Sequence, residues 1–153
     1  MDRPEAARAL ALGFVVDAGV ALKWLVDEPL RDRAMDLIDW RLALHAPQSI
    51  LAEIDDLVCR KLRQGEIDTA HARRIVECMP GYFDLLHPPQ SVGQAALEIA
   101  LRLGLPLRDG IYLACVRSLG LPLITADERL LEAVAHTSYA SQVVRLADFA
   151  PQS

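Results

Sequence analysis

Apolar positions along this chain recur with two different periods, and their alternation predicts the elements of the fold. Between Gln48 and Gln64, residues Ile50, Leu51, Ile54, Leu57, Val58 and Leu62 follow the 3.6-residue spacing of an amphipathic helix, and Gly65 stands where such a helix ends. Tyr112, Cys115, Val116 and Leu119 fall at i, i+3, i+4 and i+7, which predicts a helix over Arg108 to Leu119. Further helices are expected from Val20 to Val26, from Pro29 to about Leu42, from Asp68 to Met79 before Pro80 and Gly81, from Pro88 to Leu103, and from Asp127 to Ala135. Between them lie short runs that suit buried strands: FVVD (14 to 17), LHAP (44 to 47), FDLLH (83 to 87), LPLIT (121 to 125) and QVVRL (142 to 146). Strands alternating with helices predict an α/β fold, a central, mostly parallel sheet of about four to five short strands with helices on both faces. Sheets of that kind bind ligands at the carboxyl ends of their strands.

The segment LGLPL occurs twice, at 103 to 107 and at 119 to 123. Both copies predict a helix stop, with glycine as a left-handed cap and proline barring continuation, and each is followed within a few residues by an acid, Asp109 or Asp127. Five residues are too few for a repeat architecture. No linker or low-complexity tract divides the chain, so residues 14 to 149 are expected to form one domain, with 1 to 13 as an N-terminal extension and 150 to 153 as a tail.

Composition narrows the functional classes. A 52% hydrophobic, 24% charged chain of 153 residues is globular rather than disordered. No apolar run approaches the roughly 20 residues needed to span a bilayer, and MDRPEAARAL lacks the pattern of a secretory signal, so a cytoplasmic protein without membrane contact is expected. The net charge of −5 speaks against broad electrostatic nucleic-acid binding, but it leaves room for a nuclease whose acids are neutralised by bound cations. Cys59, Cys78 and Cys115 show no CxxC pair and are expected as reduced thiols in or near the core. His45, His71, His87 and His136 are scattered, no GxxxxGK[ST] loop is present, and Ser49 lacks a GxSxG setting, so it reads as a helix cap.

Four acids stand at strand ends or helix starts. Asp17 ends the first predicted strand. Glu53 lies in the first turns of the 48 to 64 helix, bordering its apolar face. Asp109 opens its helix three residues before Tyr112, and Asp127 follows the LPLIT strand, where Thr125 and Glu128 match a capping box. Each alone is explained as a cap or as an acid favoured by the helix dipole. In a parallel α/β layer, however, all four positions gather on one rim. Packed carboxylates repel and raise one another's pKa values unless hard cations sit between them. All-oxygen ligation suits Mg2+ or Mn2+, and without a His or Cys cluster zinc does not fit. Such a site supports metal-assisted hydrolysis of a phosphodiester.

At these residues the chain resembles the PIN domains and, within them, the VapC-type toxins of bacterial toxin–antitoxin pairs. The matching segments, in family order, are VVDAGVALKWLVDEP (15 to 29), APQSILAEI (46 to 54), LGLPLRDGIYLACVRSLGLPLITADERLL (103 to 131) and VVRLADF (143 to 149). The resemblance implies a PIN-like fold in which Asp17, Glu53, Asp109 and Asp127 are the acidic metal-binding and catalytic positions and Thr125 is the hydroxyl before the last acid. It further implies an RNA substrate, Mg2+ or Mn2+, a homodimer, and an antitoxin that occludes the site, for which a partner arginine is suited. Gly19 departs from the pattern, standing where relatives carry a small hydroxyl or amide. Asp56 and Gly110 stand where Asn and Ala are common, and Asp56, three residues after Glu53, adds a fifth acid to the group.

Among the bases Lys23, Arg60, Lys61, Arg63, Arg108 and Arg129, only Arg108, next to Asp109, is expected at the site as a phosphate-holding support; the others read as solvated helix surface. Trp24, Trp40 and Tyr112 read as core or interface rather than as base-stacking groups. Two rival functions remain open. One is a PIN-like module that binds RNA or protein without cutting, which the missing polar group at Gly19 motivates. The other, a phospho-accepting receiver switch, needs a lysine on the last strand that QVVRL does not supply.

Overall fold

The computed structural model describes residues 13 to 150. The expectation for the N-terminal extension therefore lies almost wholly outside the described residues, as does most of the tail. The elements run β1 (Phe14–Val16), α1 (Ala18–Leu22), α2 (Arg31–Asp39), β2 (Leu44–Pro47), α3 (Ile50–Arg63), α4 (Thr69–Cys78), β3 (Leu85–His87), α5 (Gly93–Leu103), α6 (Leu107–Leu119), β4 (Leu123–Thr125), α7 (Glu128–Val134) and β5 (Val143–Arg145), with short 3-10 turns between some of them. The five strands form one sheet in the order β3-β2-β1-β4-β5, and every pairing is parallel. The expected α/β architecture is the one observed, with a sheet that is wholly rather than mostly parallel.

Strand order decides where a ligand can enter. From β1 the chain steps one way through β2 to β3, then returns to β4 on the other side of β1 and continues to β5. Right-handed crossovers in opposite directions put their helices on opposite faces and leave a crevice at the reversal point, outside the carboxyl ends of β1 and β4. Register makes this concrete: Val16 pairs with Ile124, so the next residues along, Asp17 and Thr125, emerge side by side.

The two central strands explain why their sequences lack alternation. Phe14, Val15 and Val16 are buried, as are Leu123, Ile124 and Thr125. A strand covered on both faces reads as a continuous apolar run. Edge strand β3 instead leaves Leu85 half exposed. Trp24 is buried, donates its indole N–H to the carbonyl of Ala34 at 2.9 Å and stacks on Tyr82 with ring centroids 5.3 Å apart.

Several expectations need adjustment. The first helix begins at Ala18 and ends by Leu22 because Asp17 already caps it, and the second starts at Arg31, two residues after Pro29. Residues Pro89–Val92 form a 3-10 turn before α5. Both LGLPL helix stops are as expected: Gly104 and Gly120 take φ of 67° and 65°, the left-handed conformation that glycine adopts without a Cβ penalty. Cys59 and Cys78 are exposed and only Cys115 is buried, since the first two sit on outward helix faces that periodicity alone did not separate. All three are free thiols. Gly110 marks a close helix contact: a Cβ there would stand 2.3 Å from the carbonyl oxygen of Ala96, so α5 and α6 approach backbone to backbone only because α6 carries glycine.

Candidate functional site

Asp17 leaves β1 in an extended conformation and becomes the N-cap of α1, its Oδ1 accepting the N–H of Val20 at 2.8 Å. Its Oδ2 accepts a hydrogen bond from the hydroxyl of Thr125, which is fully buried. That hydroxyl also accepts the backbone N–H of Asp127 at 3.0 Å, so one oxygen ties the ends of β1 and β4 together. Thr125 is therefore not the cap of α7: Asp127 is, with Oδ1 accepting from the N–H groups of Arg129 at 3.0 Å and Leu130 at 3.3 Å. The expected capping box does not form, and Glu128 pairs instead with Arg145. Burial pushes the Asp17 carboxyl up to about 6, against the hydrogen bonds from Thr125 and Val20, and the negative charge of Asp127 adds to the rise.

Glu53 sits in the first turn of α3 and accepts a hydrogen bond from the phenol of Tyr112 on α6. Burial raises its pKa; the Tyr112 bond and the nearby Arg108 charge oppose that, while Asp17 and Asp109 reinforce it. The Tyr112 hydroxyl is itself raised well above the ordinary phenol value, by burial first and then by Glu53. Asp109, in the first turn of α6, is 5% exposed. Its Oδ2 accepts from Nη2 of Arg129 at 2.8 Å, and the same nitrogen lies 3.4 Å from Oδ2 of Asp127.

All four expected acids, together with Asp56 and Arg108, line one cleft of about 470 Å³ at the carboxyl end of the sheet. Asp56 is on its exposed side. Three bases expected on solvated surface, Lys23, Arg60 and Lys61, also line it, and Arg129 pairs with two of its acids. Lys23 and Lys61 pair with Glu28 at 3.1 and 2.8 Å. Burial pushes Glu28 up, but the hydrogen bonds from Lys61 and Lys23 outweigh it and hold this carboxyl below its ordinary value. The parts missed in the sequence are thus Arg129, Tyr112 as the partner of Glu53, and the Lys23–Glu28–Lys61 group. Only Tyr112 carried a signal, its spacing of three from Asp109.

The donor set fits a hard cation. Its groups are carboxylates with no imidazole or thiol among them, and the half-buried Asp17 accepts its hydrogen bonds from neutral donors, Val20 and Thr125. Among the described residues no three such groups converge as a ready-made cage. Their oxygens are taken up by Val20, Thr125, Tyr112, Arg129 and Leu130 instead. No helix among the described residues is long and apolar enough to cross a membrane.

Comparison with solved structures finds the same fold in proteins of low sequence identity. The chain is similar to PAE2754 from Pyrobaculum aerophilum, with a TM-score of 0.64 and 22% identity over 90% of this chain and 92% of that one. It is also similar to a toxin–antitoxin complex from Klebsiella pneumoniae, with a TM-score of 0.63 and 15% identity over 88% of this chain and 98% of that one. A search of curated proteins finds no match. The PIN domain model matches residues 14–136, a span that runs from β1 through α7 and takes in every acid of the cleft. With the wholly parallel sheet and the cleft at its reversal point, that match shows that the chain belongs to the PIN domain family, whose members are generally nucleases.

Proposed function

We propose that this protein is a metal-dependent endoribonuclease, the toxin of a toxin–antitoxin pair, and that the cleft is its active site. The observation that carries this reading is the gathering of Asp17, Glu53, Asp109 and Asp127, which lie far apart in sequence, around one opening at the switch point of a PIN fold. These four would hold Mg2+ or Mn2+, in a domain spanning 14 to 149. When bound, such an ion acidifies water and offsets charge on a phosphate.

The chain's own groups have separable tasks. Thr125 holds the Asp17 carboxylate in place and fixes its distance from the Asp127 backbone. Tyr112 occupies one oxygen of Glu53 and leaves the other to hold the ion, while in the reaction water adds its hydroxyl to phosphorus and a proton to the neighbouring ribose oxygen as the bond to that oxygen breaks. Arg108 and Arg60 line the cleft where an RNA phosphate would lie. The similarity to a toxin–antitoxin complex supports an antitoxin as the protein partner, and a homodimer in the cytoplasm is part of the same proposal, as the resemblance to VapC-type toxins implies.

Incubation of purified protein with RNA and Mn2+, beside an Asp17→Asn control, tests the reading. Cleavage by the wild type alone is expected; equal cleavage by both proteins, or none by either, overturns it. One observation favours a second reading, a PIN module that binds RNA without cutting: Gly19 supplies no polar side chain 3.7 Å from Oδ1 of Asp17, where an added Cβ would stand. Retained RNA affinity without any heat of Mn2+ binding in calorimetry is its signature.

A further inference from the structure

Asp109 and Asp127 differ from Asp17 and Glu53 in what neutralises them. The latter pair accept from hydroxyls, Thr125 and Tyr112, which are neutral donors. The former pair share a cation that belongs to the chain. Nη2 of Arg129 lies 2.8 Å from Oδ2 of Asp109 and 3.4 Å from Oδ2 of Asp127. The Arg129 backbone N–H meanwhile donates to the other oxygen of Asp127, so the residue is anchored in the turn that its side chain folds back over. Burial is unequal across this clamp: the Asp109 side chain is 7% exposed and that of Arg129 is 51% exposed. The carboxylate is held within the protein, whereas the arginine side chain reaches it from the surface on a long stem.

A carboxylate oxygen that accepts a guanidinium N–H at 2.8 Å already shares its lone pairs and charge with one cation, and a divalent ion brought to roughly 2.0 to 2.2 Å from it is repelled by the guanidinium beside it. Both cations therefore contend for the same two side chains. Resting on the reading of the cleft as a cation site, we infer that Arg129 is an internal counter-ion that competes with the divalent cation for Asp109 and Asp127 and must swing outward before the ion is held by the full acidic set. It keeps a cluster of acids tolerable when divalent ions are scarce, and it weakens their affinity by the free energy of the broken clamp. Leaving is eased because half of the Arg129 side chain is already exposed to solvent.

Calorimetric titration with Mn2+ alone, at low salt, tests the assignment on four proteins. Arg129→Gln is expected to bind Mn2+ about tenfold more tightly than the wild type, the size expected for losing one charge-assisted bond. Arg129→Lys keeps the charge without the fork and is expected between the two. Arg108→Gln, which removes a charge that also lines the cleft, is expected to gain clearly less affinity than Arg129→Gln. Thermal melts supply a second readout: in chelator Arg129→Gln melts below the wild type, and saturating Mn2+ closes or reverses the gap. Equal or weaker Mn2+ binding by Arg129→Gln, or an equal gain from Arg108→Gln, overturns the competition while leaving the cation site intact. Absence of Mn2+ binding in all four proteins overturns the cation site and the competition together.

Discussion

Replacing Asp17 by asparagine should make the ion-free protein more stable while abolishing its cleavage of RNA, and the size of the gain follows from where the carboxyl sits. Burial lifts its pKa from the ordinary 3.8 to about 6. Below pH 3.8 the carboxyl is protonated in both the folded and the unfolded chain and nothing distinguishes them. As pH rises towards 6 the unfolded chain gives up this proton and the folded chain keeps it, so stability falls. Above that it stays lower, by about 3 kcal/mol at about 1.36 kcal/mol per pKa unit. Asparagine never ionises and escapes this loss. It can still accept the Val20 N–H but offers only one acceptor oxygen where Asp17 uses two, a mismatch costing about 1 kcal/mol. A net gain of about 2 kcal/mol at pH 7.5 is expected, shrinking as pH drops through 6 towards 4. Urea denaturation in chelator, followed by far-UV circular dichroism at pH 7.5 and pH 4.5, measures both values. Saturating Mn2+ should reverse the order, because only the wild type gains binding energy on folding. If the variant is the less stable protein at pH 7.5, or if the difference does not change with pH, Asp17 is not a charge held at a cost and the reading of the cleft loses its energetic basis.

Three further substitutions probe the scaffold. Gly110→Ala drives a Cβ to 2.3 Å from the Ala96 carbonyl oxygen, so α5 and α6 must part; a loss of at least about 2 kcal/mol is expected, read as a drop in the denaturation midpoint, and an unchanged midpoint would mean the helices are not in close contact. Thr125→Val keeps the shape but removes the donor to Asp17 and the acceptor for the Asp127 N–H, at a cost of about 2 kcal/mol. A double-mutant cycle with Asp17→Asn should show coupling of about 1 kcal/mol, and additive effects would dissolve the proposed link. Gly19→Ser has room, since the nearest atom to the added Cβ is Asp17 Oδ1 at 3.7 Å; it should stabilise α1 by about 0.5 kcal/mol and tighten Mn2+ binding, whereas weaker Mn2+ binding would refute a supporting role for a hydroxyl there.

Much of this protein is legible in one dimension because local chemistry decided it. LHAP is the strand β2 with no change of boundary, the apolar period of 48 to 64 is α3 to within two residues, and both LGLPL segments end helices at a left-handed glycine. The positions of the four acids at strand ends and helix starts follow from the same local signals. Their convergence does not: it depends on strand order, and placing β4 beside β1 rather than beyond β3 brings Thr125 to Asp17 across 108 residues of chain. The pairings are equally tertiary. Arg129 looked like surface because a helical period says which side a residue faces and nothing about what stands opposite, and its partner Asp109 belongs to another helix. Lys23 and Lys61 became cleft wall only when α3 packed near α1 and Glu28 came between them. Hydrogen-bond donors and short apolar periods act within a turn or two and are written locally, whereas charge compensation acts between any groups that the fold brings within a few ångströms, whatever their separation along the chain.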